Sequence, residues 1–399
     1  MTTTETSPDI LDRLLPADLL ARMDERAPGY DRDNTFFHED FEELRKTGFL
    51  DIAIPTEFGG HGCGLDVVSR AMGRIGTVAP ATALAVNMHV YWTGVAADLL
   101  RQGDESCRFI LEEAAKGKVF AALHGERGND MPLFLSTTSA DRVDGGWKLN
   151  GHKIFGSLSP VWDYGGFHAM DTSDPDHPQI VHGFLERGAS GIEVVDTWDT
   201  LGMRATQSHD TVLTDAVCPD EHVARVCAAG FAGADAFHLS IFAWALCDFA
   251  AVYDGIARRA FALTVETMPQ KTSVALTPGS SMAQHPEVQH LVAEMRMALD
   301  ANEAHLGKVT TDWANGVAHE DWPVRILAVR HRVINDSFGV VDNAMDLTGG
   351  AGSFKRSRME QLFRDARMGR FHPGNSMLAH EVVGKLSLGV DPDGALRWG

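Results

Sequence analysis

The sequence predicts an α+β protein of several domains, in which an antiparallel β-module interrupts two helical blocks. Three observations carry this expectation. Residues 119–219 form the only long region without helical periodicity, and they break into short alternating runs. The breaks are tight-turn sequences, Asp144-Gly145-Gly146 and Asn150-Gly151, the punctuation of antiparallel hairpins. On both sides of this region, apolar residues return at helical spacing. The divisions place domains at 1–118 (N-terminal, helical), 119–219 (central, β) and 220–399 (C-terminal, helical).

Residues 1–8 read as a polar tail. Leu11, Leu14, Leu15, Leu19 and Leu20 then predict one helix over 9–24, and a second covers 37–47. A glycine-rich loop follows over 48–64, turning a corner before helices at 65–75, 82–102 and 105–115. Lys116-Gly117-Lys118 ends the block: a glycine past the last periodic residue, flanked by cations that suit a helix C-terminus. Strands are expected within 119–124, 136–143, 147–155, 166–170, 180–185, 192–195 and 211–217. After Pro219, long helices cover 236–268, 285–314 and 321–347, and shorter ones cover 358–367 and 377–388. Being apolar nearly all round, they are expected to be buried in a bundle or an oligomer interface.

Composition bounds the function. With 44% hydrophobic residues in a chain of 399, there is ample material for large cores. A formal charge of −20 argues against nucleic acid or an anionic membrane as the main partner, because both need a positive face. No stretch stands out as a membrane span, and Met1-Thr2-Thr3-Thr4-Glu5 lacks the features of a signal peptide, so a cytoplasmic protein is expected. Cys63, Cys107, Cys218, Cys227 and Cys247 are scattered without Cys-x-x-Cys spacing; free thiols, and no metal centre, are the expectation.

Several motifs carry a family likeness. Pro55-Thr-Glu-Phe-Gly-Gly-His-Gly, Leu149-Asn-Gly-His-Lys-Ile-Phe-Gly-Ser, Leu201-Gly-Met-Arg-Ala-Thr with Val217-Cys-Pro, Gly255-Ile-Ala-Arg-Arg-Ala, Gly349-Gly-Ala-Gly and Phe363-Arg-Asp-Ala-Arg occur in this order. Together they resemble the acyl-CoA dehydrogenase family over residues 40–390. The resemblance implies an N-terminal helical domain, a central β-domain and a C-terminal four-helix bundle. It implies FAD between sheet and bundle, an acyl-CoA or related substrate, an electron acceptor protein or O2, and a homodimer or homotetramer. The implied chemistry belongs to lipid metabolism: a carboxylate takes the α-proton of a thioester and the flavin accepts the β-hydride.

Carried over by motif, Phe155 is the aromatic over the flavin and Ser157 the hydroxyl near its N5. Glu126 matches the acidic residue after the first strand, although the usual serine-bearing motif has become Glu126-Arg-Gly-Asn-Asp-Met-Pro. Lys271 falls near an arginine that reaches the partner's FAD pyrophosphate, with loss of the bidentate fork. Asp346 stands for a glutamine, Gly349 and Gly350 allow close backbone approach, and Asn375 is a further cofactor-binding candidate.

The catalytic base is where the chain departs from the family. One usual glutamate seat, counted from Arg364-Asp365-Ala366-Arg367, holds Pro373; the other, ten residues before Gly255, holds Ala245. His372, beside the first seat, and Asp248, one turn from the second, are the candidate bases. His124 and His89 are weaker candidates, and Asp254 is expected to bond within the bundle. Acyl thioester dehydrogenation with a displaced base is the leading expectation. The alternatives are a flavin-dependent monooxygenase on the same fold, which needs no such base, and a flavin- or acyl-binding protein without catalysis.

Overall fold

The structure, a computed structural model, describes residues 7–393. Its N-terminal block contains α1 (Ser7–Leu14), α2 (Ala17–Asp33), α3 (His38–Lys46), α4 (Leu65–Val78), α5 (Pro80–Arg101) and α6 (Arg108–Ala114). The single helix expected over 9–24 is two. Pro16 sits extended (φ −62°, ψ 150°) ahead of α2, and a residue preceding proline is driven out of the helical region, so the break falls at Leu15-Pro16. Of the polar tail, residues 1–6 lie outside the described residues, and Ser7 already begins α1. Helix α5 is buried along nearly its whole length, with Pro80 in its first turn, where a missing N–H costs nothing.

The central sheet has nine strands: β1 (Phe120–Leu123), β2 (Gly125–Glu126), β3 (Ser139–Val143), β4 (Gly146–Gly156), β5 (Tyr164–Asp171), β6 (Gln179–Glu186), β7 (Ile192–Val195), β8 (His209–Pro219) and β9 (Val223–Ala228). The order is β7-β8-β4-β3-β5-β6-β9, with β1 on β5 and β2 on β4. All pairs are antiparallel except β1 with β5 and the single-residue contact of β3 with β5. The sheet thus runs past Pro219 to Ala228. Strand β9 escapes the sequence reading because Arg225 interrupts its apolar run, yet that arginine turns inward to ion-pair with Asp104 at 2.6 Å.

The C-terminal block comprises α7 (Ala236–Thr267), α8 (Pro286–Ala314), α9 (Trp322–Thr348), α10 (Arg358–Met368) and α11 (Ser376–Leu388). Helix α7 is the axis of the molecule and packs on α4, α5, α8 and α9. Contrary to the sequence expectation, its 32 residues are long and apolar enough to cross a membrane, but 83% of its most apolar window is buried inside the protein, as in a core helix. Asp98 of α5 receives the indole N–H groups of Trp244 (α7) and Trp313 (α8), each at 2.7 Å, and so ties three helices at one carboxylate.

Helices α4 and α7 cross at glycines. A Cβ on Gly255 would lie 2.5 Å from the Gly73 carbonyl oxygen and 2.8 Å from the Gly76 backbone. No side-chain shift relieves a backbone clash, so the Gly255→Ala variant is expected to lose about 1–3 kcal/mol of stability. Its urea midpoint compared with wild type checks this.

Candidate active site

A cavity of about 280 Å³ opens between the sheet and helices α5 and α7, closed at one end by the α10–α11 connection. Its walls are mainly apolar, with Met88 and Tyr91 from α5, Ile241 and Phe249 from α7, and Trp198 beyond β7. The two vacated glutamate seats, Ala245 and Pro373, both line it.

Local backbone strain shapes this cavity. Leu133, Phe155 and Met203 all line it, and all are non-glycine residues with positive φ (76°, 59° and 53°). Phe155 lies in a register shift between β4 and β8, the kind of bulge that re-aims a side chain. Its ring is 52% exposed and meets Trp198 edge-on at 5.8 Å. Met203 is held by Asp365, whose Oδ1 accepts its N–H at 2.6 Å. The Leu201-Gly-Met-Arg-Ala-Thr and Phe363-Arg-Asp-Ala-Arg motifs therefore meet in space, and Gly202 lies directly against the Arg364 backbone.

Ser157 lines the cavity, and its Oγ is 2.8 Å from Ser208 Oγ, which in turn is 2.7 Å from Thr206 Oγ1. Glu126 also reaches the wall, but its carboxylate is fully engaged. Its two oxygens meet six donors: Lys153 Nζ (2.6 Å), Thr138 Oγ1 (2.6 Å), Ser136 Oγ (2.7 Å), Asn129 Nδ2 (2.9 Å), and the N–H groups of Thr137 (3.0 Å) and Thr138 (3.1 Å). Burial alone would raise this carboxyl. His168, Lys153 and the other donors outweigh it and hold Glu126 well below the usual carboxylate range. At 3.6 Å, His168 Nε2 is too far for a hydrogen bond, so Lys153 and the short contacts are the principal cause.

The candidate bases part company. His372 lines the cavity, its Nε2 2.8 Å from Tyr253 Oη and its ring stacked on Phe249 at 4.7 Å. Burial and the nearby Arg330 push it down to about 3, which leaves a neutral and feeble base. Asp248 does not line the cavity. It is wholly buried, neither oxygen has a hydrogen-bond partner, and burial raises its carboxyl far above the ordinary value, so it stands as a neutral acid. His89 is structural: its Nε2 is 3.2 Å from the Leu50 carbonyl and its Nδ1 accepts the Phe120 N–H. His124 does line the cavity, with Nε2 unpartnered; burial, His168 and Lys153 keep it neutral. Asp254 bonds Arg258 and Asn302 inside the bundle.

The remaining sequence candidates divide in two. Asn375 lines the cavity while its Oδ1 caps α11 at the Met377 and Leu378 N–H groups. Lys271, Asp346, Gly349 and Gly350 gather instead at the end of α9, away from the cavity. There Lys271 donates to the Leu347 and Thr348 carbonyls at 2.7 and 3.0 Å. Sequence reasoning missed Arg330, which is 1% exposed and donates to the Gly369 and His372 carbonyls at 2.9 Å each, clamping the loop that carries Pro373. Of the three arginines at 325, 330 and 332, Arg330 alone falls at helical spacing with Ile326, Leu327 and Val333 on α9, and that was the available signal.

Sequence models of the acyl-CoA dehydrogenase N-terminal, middle and C-terminal domains match residues 18–117, 124–216 and 247–377. The chain belongs to the acyl-CoA dehydrogenase family. It is 26% identical to the putative acyl-CoA dehydrogenase YdbM of Bacillus subtilis, over 86% of this chain and 87% of that protein. It is 27% identical to an L-evernosamine nitrososynthase of Micromonospora, over 95% and 90% respectively. Among solved structures, KijD3 with FMN and dTDP-3-amino-2,3,6-trideoxy-4-keto-3-methyl-D-glucose superimposes with a TM-score of 0.85. The identity there is 26%, covering 99% of this chain and 97% of that one.

Two outcomes follow from the buried charges. Glu126→Gln strands Lys153 in the interior and is expected to cost about 3–5 kcal/mol, read from the urea midpoint at neutral pH. His89, held by burial at about 4, stays neutral in the fold while the unfolded chain takes up a proton below about 6.5. Stability should therefore fall as pH drops from 6.5 towards 4, by about 1.4 kcal/mol per pH unit for this group. Midpoints measured across that range, with a shallower slope in His89→Gln, check it.

Proposed function

We propose that this chain is a flavin-dependent monooxygenase that oxidises a heteroatom of a small substrate, rather than a thioester dehydrogenase. The family is one of flavoprotein oxidoreductases. The cavity fits a polar heteroaromatic ring: Phe155 and Trp198 offer faces, Ser157 a hydroxyl, and His124 Nε2 and Trp198 Nε1 are buried without partners. A bound reduced flavin supplies the two electrons and the activation of O2.

The carrying observation is that both glutamate seats line the cavity and neither holds a base. Taking an α-proton requires a basic atom within reach of the substrate. His372 is committed to Tyr253, Asp248 lies elsewhere, and Glu126 has spent its lone pairs on six donors. These observations support the monooxygenase alternative better than the dehydrogenase expectation. The nitrososynthase relatives, which are described as acting on amino sugars, point to nitrogen as the heteroatom oxidised.

This chain's own residues take these parts. Phe155, aimed by its bulge, bounds the ring on one side, and the Ser157–Ser208–Thr206 hydroxyl line orients a hydrogen bond towards it. His124, neutral and lining the cavity with Nε2 unpartnered, offers one hydrogen bond to the substrate at that atom. The apolar walls exclude water from the reacting centre. No lysine or arginine lines the cavity among the described residues, which favours an uncharged or cationic substrate over one carrying phosphates.

The test uses the flavin-loaded protein. Under anaerobic conditions, a panel of acyl-CoA thioesters should leave the oxidised flavin unbleached. With the flavin enzymatically reduced and O2 admitted, small amines should yield products one oxygen atom heavier by mass spectrometry, and His124→Ala should slow this about 5–150-fold, the loss of one buried hydrogen bond of about 1–3 kcal/mol. Rapid bleaching by any acyl-CoA would restore the dehydrogenase reading.

A further inference from the structure

Outside the cavity, where β6 and β9 meet the first turn of α7, three metal-ligand side chains converge. His182 on β6 and His238 on α7 are each 1% exposed, and Cys227 on β9 is partly exposed. The two Nε2 atoms stand 3.2 Å apart, and Cys227 Sγ lies 3.9 Å from His238 Nε2. All three ligand atoms fall within 4.8 Å of one another.

The sheet dictates this meeting. Cys227 pairs with Ile180, and Ile180 and His182 share a face of β6, so thiol and imidazole rise on the same side. Asp235 caps α7 and places His238 in its first turn. His238 Nδ1 donates to Asp235 Oδ1 at 2.9 Å, which fixes the tautomer that turns the Nε2 lone pair towards His182 and Cys227. A carboxylate behind an imidazole in this way is the usual support of a metal-bound histidine. Asp235 is itself held by Arg225 at 2.9 Å.

Without an ion, His182 Nε2–H donates to His238 Nε2, and His182 Nδ1 is left buried without a partner. Tetrahedral zinc, with bonds of about 2.0–2.1 Å to nitrogen and 2.3 Å to sulfur, separates two imidazole nitrogens by about 3.3 Å and nitrogen from sulfur by about 3.6 Å. The observed 3.2 and 3.9 Å are close to both.

We propose that His182, Cys227 and His238 bind one thiophilic divalent cation, for which Zn²⁺ is the fitting ion, and that it staples the N-terminus of α7 to β6 and β9. Two imidazoles and a thiolate are a soft donor set that disfavours Mg²⁺ and Ca²⁺. Binding breaks the Cys227 S–H bond and releases that proton to solvent; the proton on His182 Nε2 moves to Nδ1. The fourth position is left for water, with access past Cys227. The ion borders the reaction cavity, because His238 stacks on Phe134 at 5.3 Å, and the adjacent Leu133 is part of the cavity wall.

The flavin-loaded protein, freed of metal with a chelator and desalted, is titrated with Co²⁺ and then Zn²⁺. One Co²⁺ per chain should bind, giving ligand-field bands to the red of the flavin absorption, and one equivalent of Zn²⁺ should erase them and raise Tm. Cys227→Ala should weaken Zn²⁺ binding at least about 100-fold, and Asp235→Asn by about 10–100-fold. Cys63→Ala, remote from the site, should change nothing. Cys227 sits on an edge strand, so its alanine variant tests the site even if Asp235→Asn fails to fold. No Co²⁺ bands, or Zn²⁺ affinity unchanged in Cys227→Ala, overturns the proposal.

Discussion

Glu126 is the charge on which the cavity is built. Its carboxylate is taken fully out of water, and six donors from β4 and from residues 129–138 converge on it. An ion buried so completely is tolerated only when every lone pair is met. Satisfying it draws the loop against the sheet, where it also buries Leu133 and Phe134, and Leu133 is a strained residue of the cavity wall. The same pairing fixes Lys153, and Lys153 fixes the register at which β4 bulges and turns Phe155 into the cavity. The position of the aromatic platform is therefore set by electrostatics one residue pair away from it.

On the opposite wall the organising force is packing. Helix α7 lies against α4 through glycines too close for any side chain, and against α5 through Gly94, whose missing Cβ leaves room for the Trp244 ring. This axis presents Ile241, Ala245 and Phe249 to the cavity and leaves Asp248 buried beside it, outside the lining, although only three positions separate Asp248 from Ala245. Arg330 completes the enclosure by holding the 369–372 carbonyls, so the α10–α11 connection cannot drift from α7.

Much of this fold is legible in the sequence, because helical periodicity and hairpin glycines are local signals. The three-block layout, the long helices and seven of the strands follow from them. What escaped was non-local. Pro16 splits a run of leucines that periodicity alone joins, and β9 carries an arginine whose inward role depends on Asp104, far away in the chain. In the site, Phe155, Ser157, Glu126, His372 and Asn375 line the cavity. Asp248 does not, since the face a helical residue presents is settled by the glycine-mediated crossing of α4 and α7. Lys271 keeps its charge but spends it on the carbonyl end of α9. The convergence of His182, Cys227 and His238 had no sequence signature, being assembled from two strands and a helix start.

The vacated seats have a consequence for how such a scaffold diversifies. Ala245 and Pro373 both border the cavity, Ala245 as a small member of the buried core and Pro373 exposed to solvent. Each position therefore has open space on one side of it, where a longer side chain could extend. Glycines 76, 94 and 255 enjoy no such latitude, because each is pressed against a neighbouring helix. Mutational drift is therefore channelled. The helix crossings that define the architecture are held backbone to backbone, while the two positions at which the resemblance expects a glutamate border open space, so a change there can leave the frame unaltered.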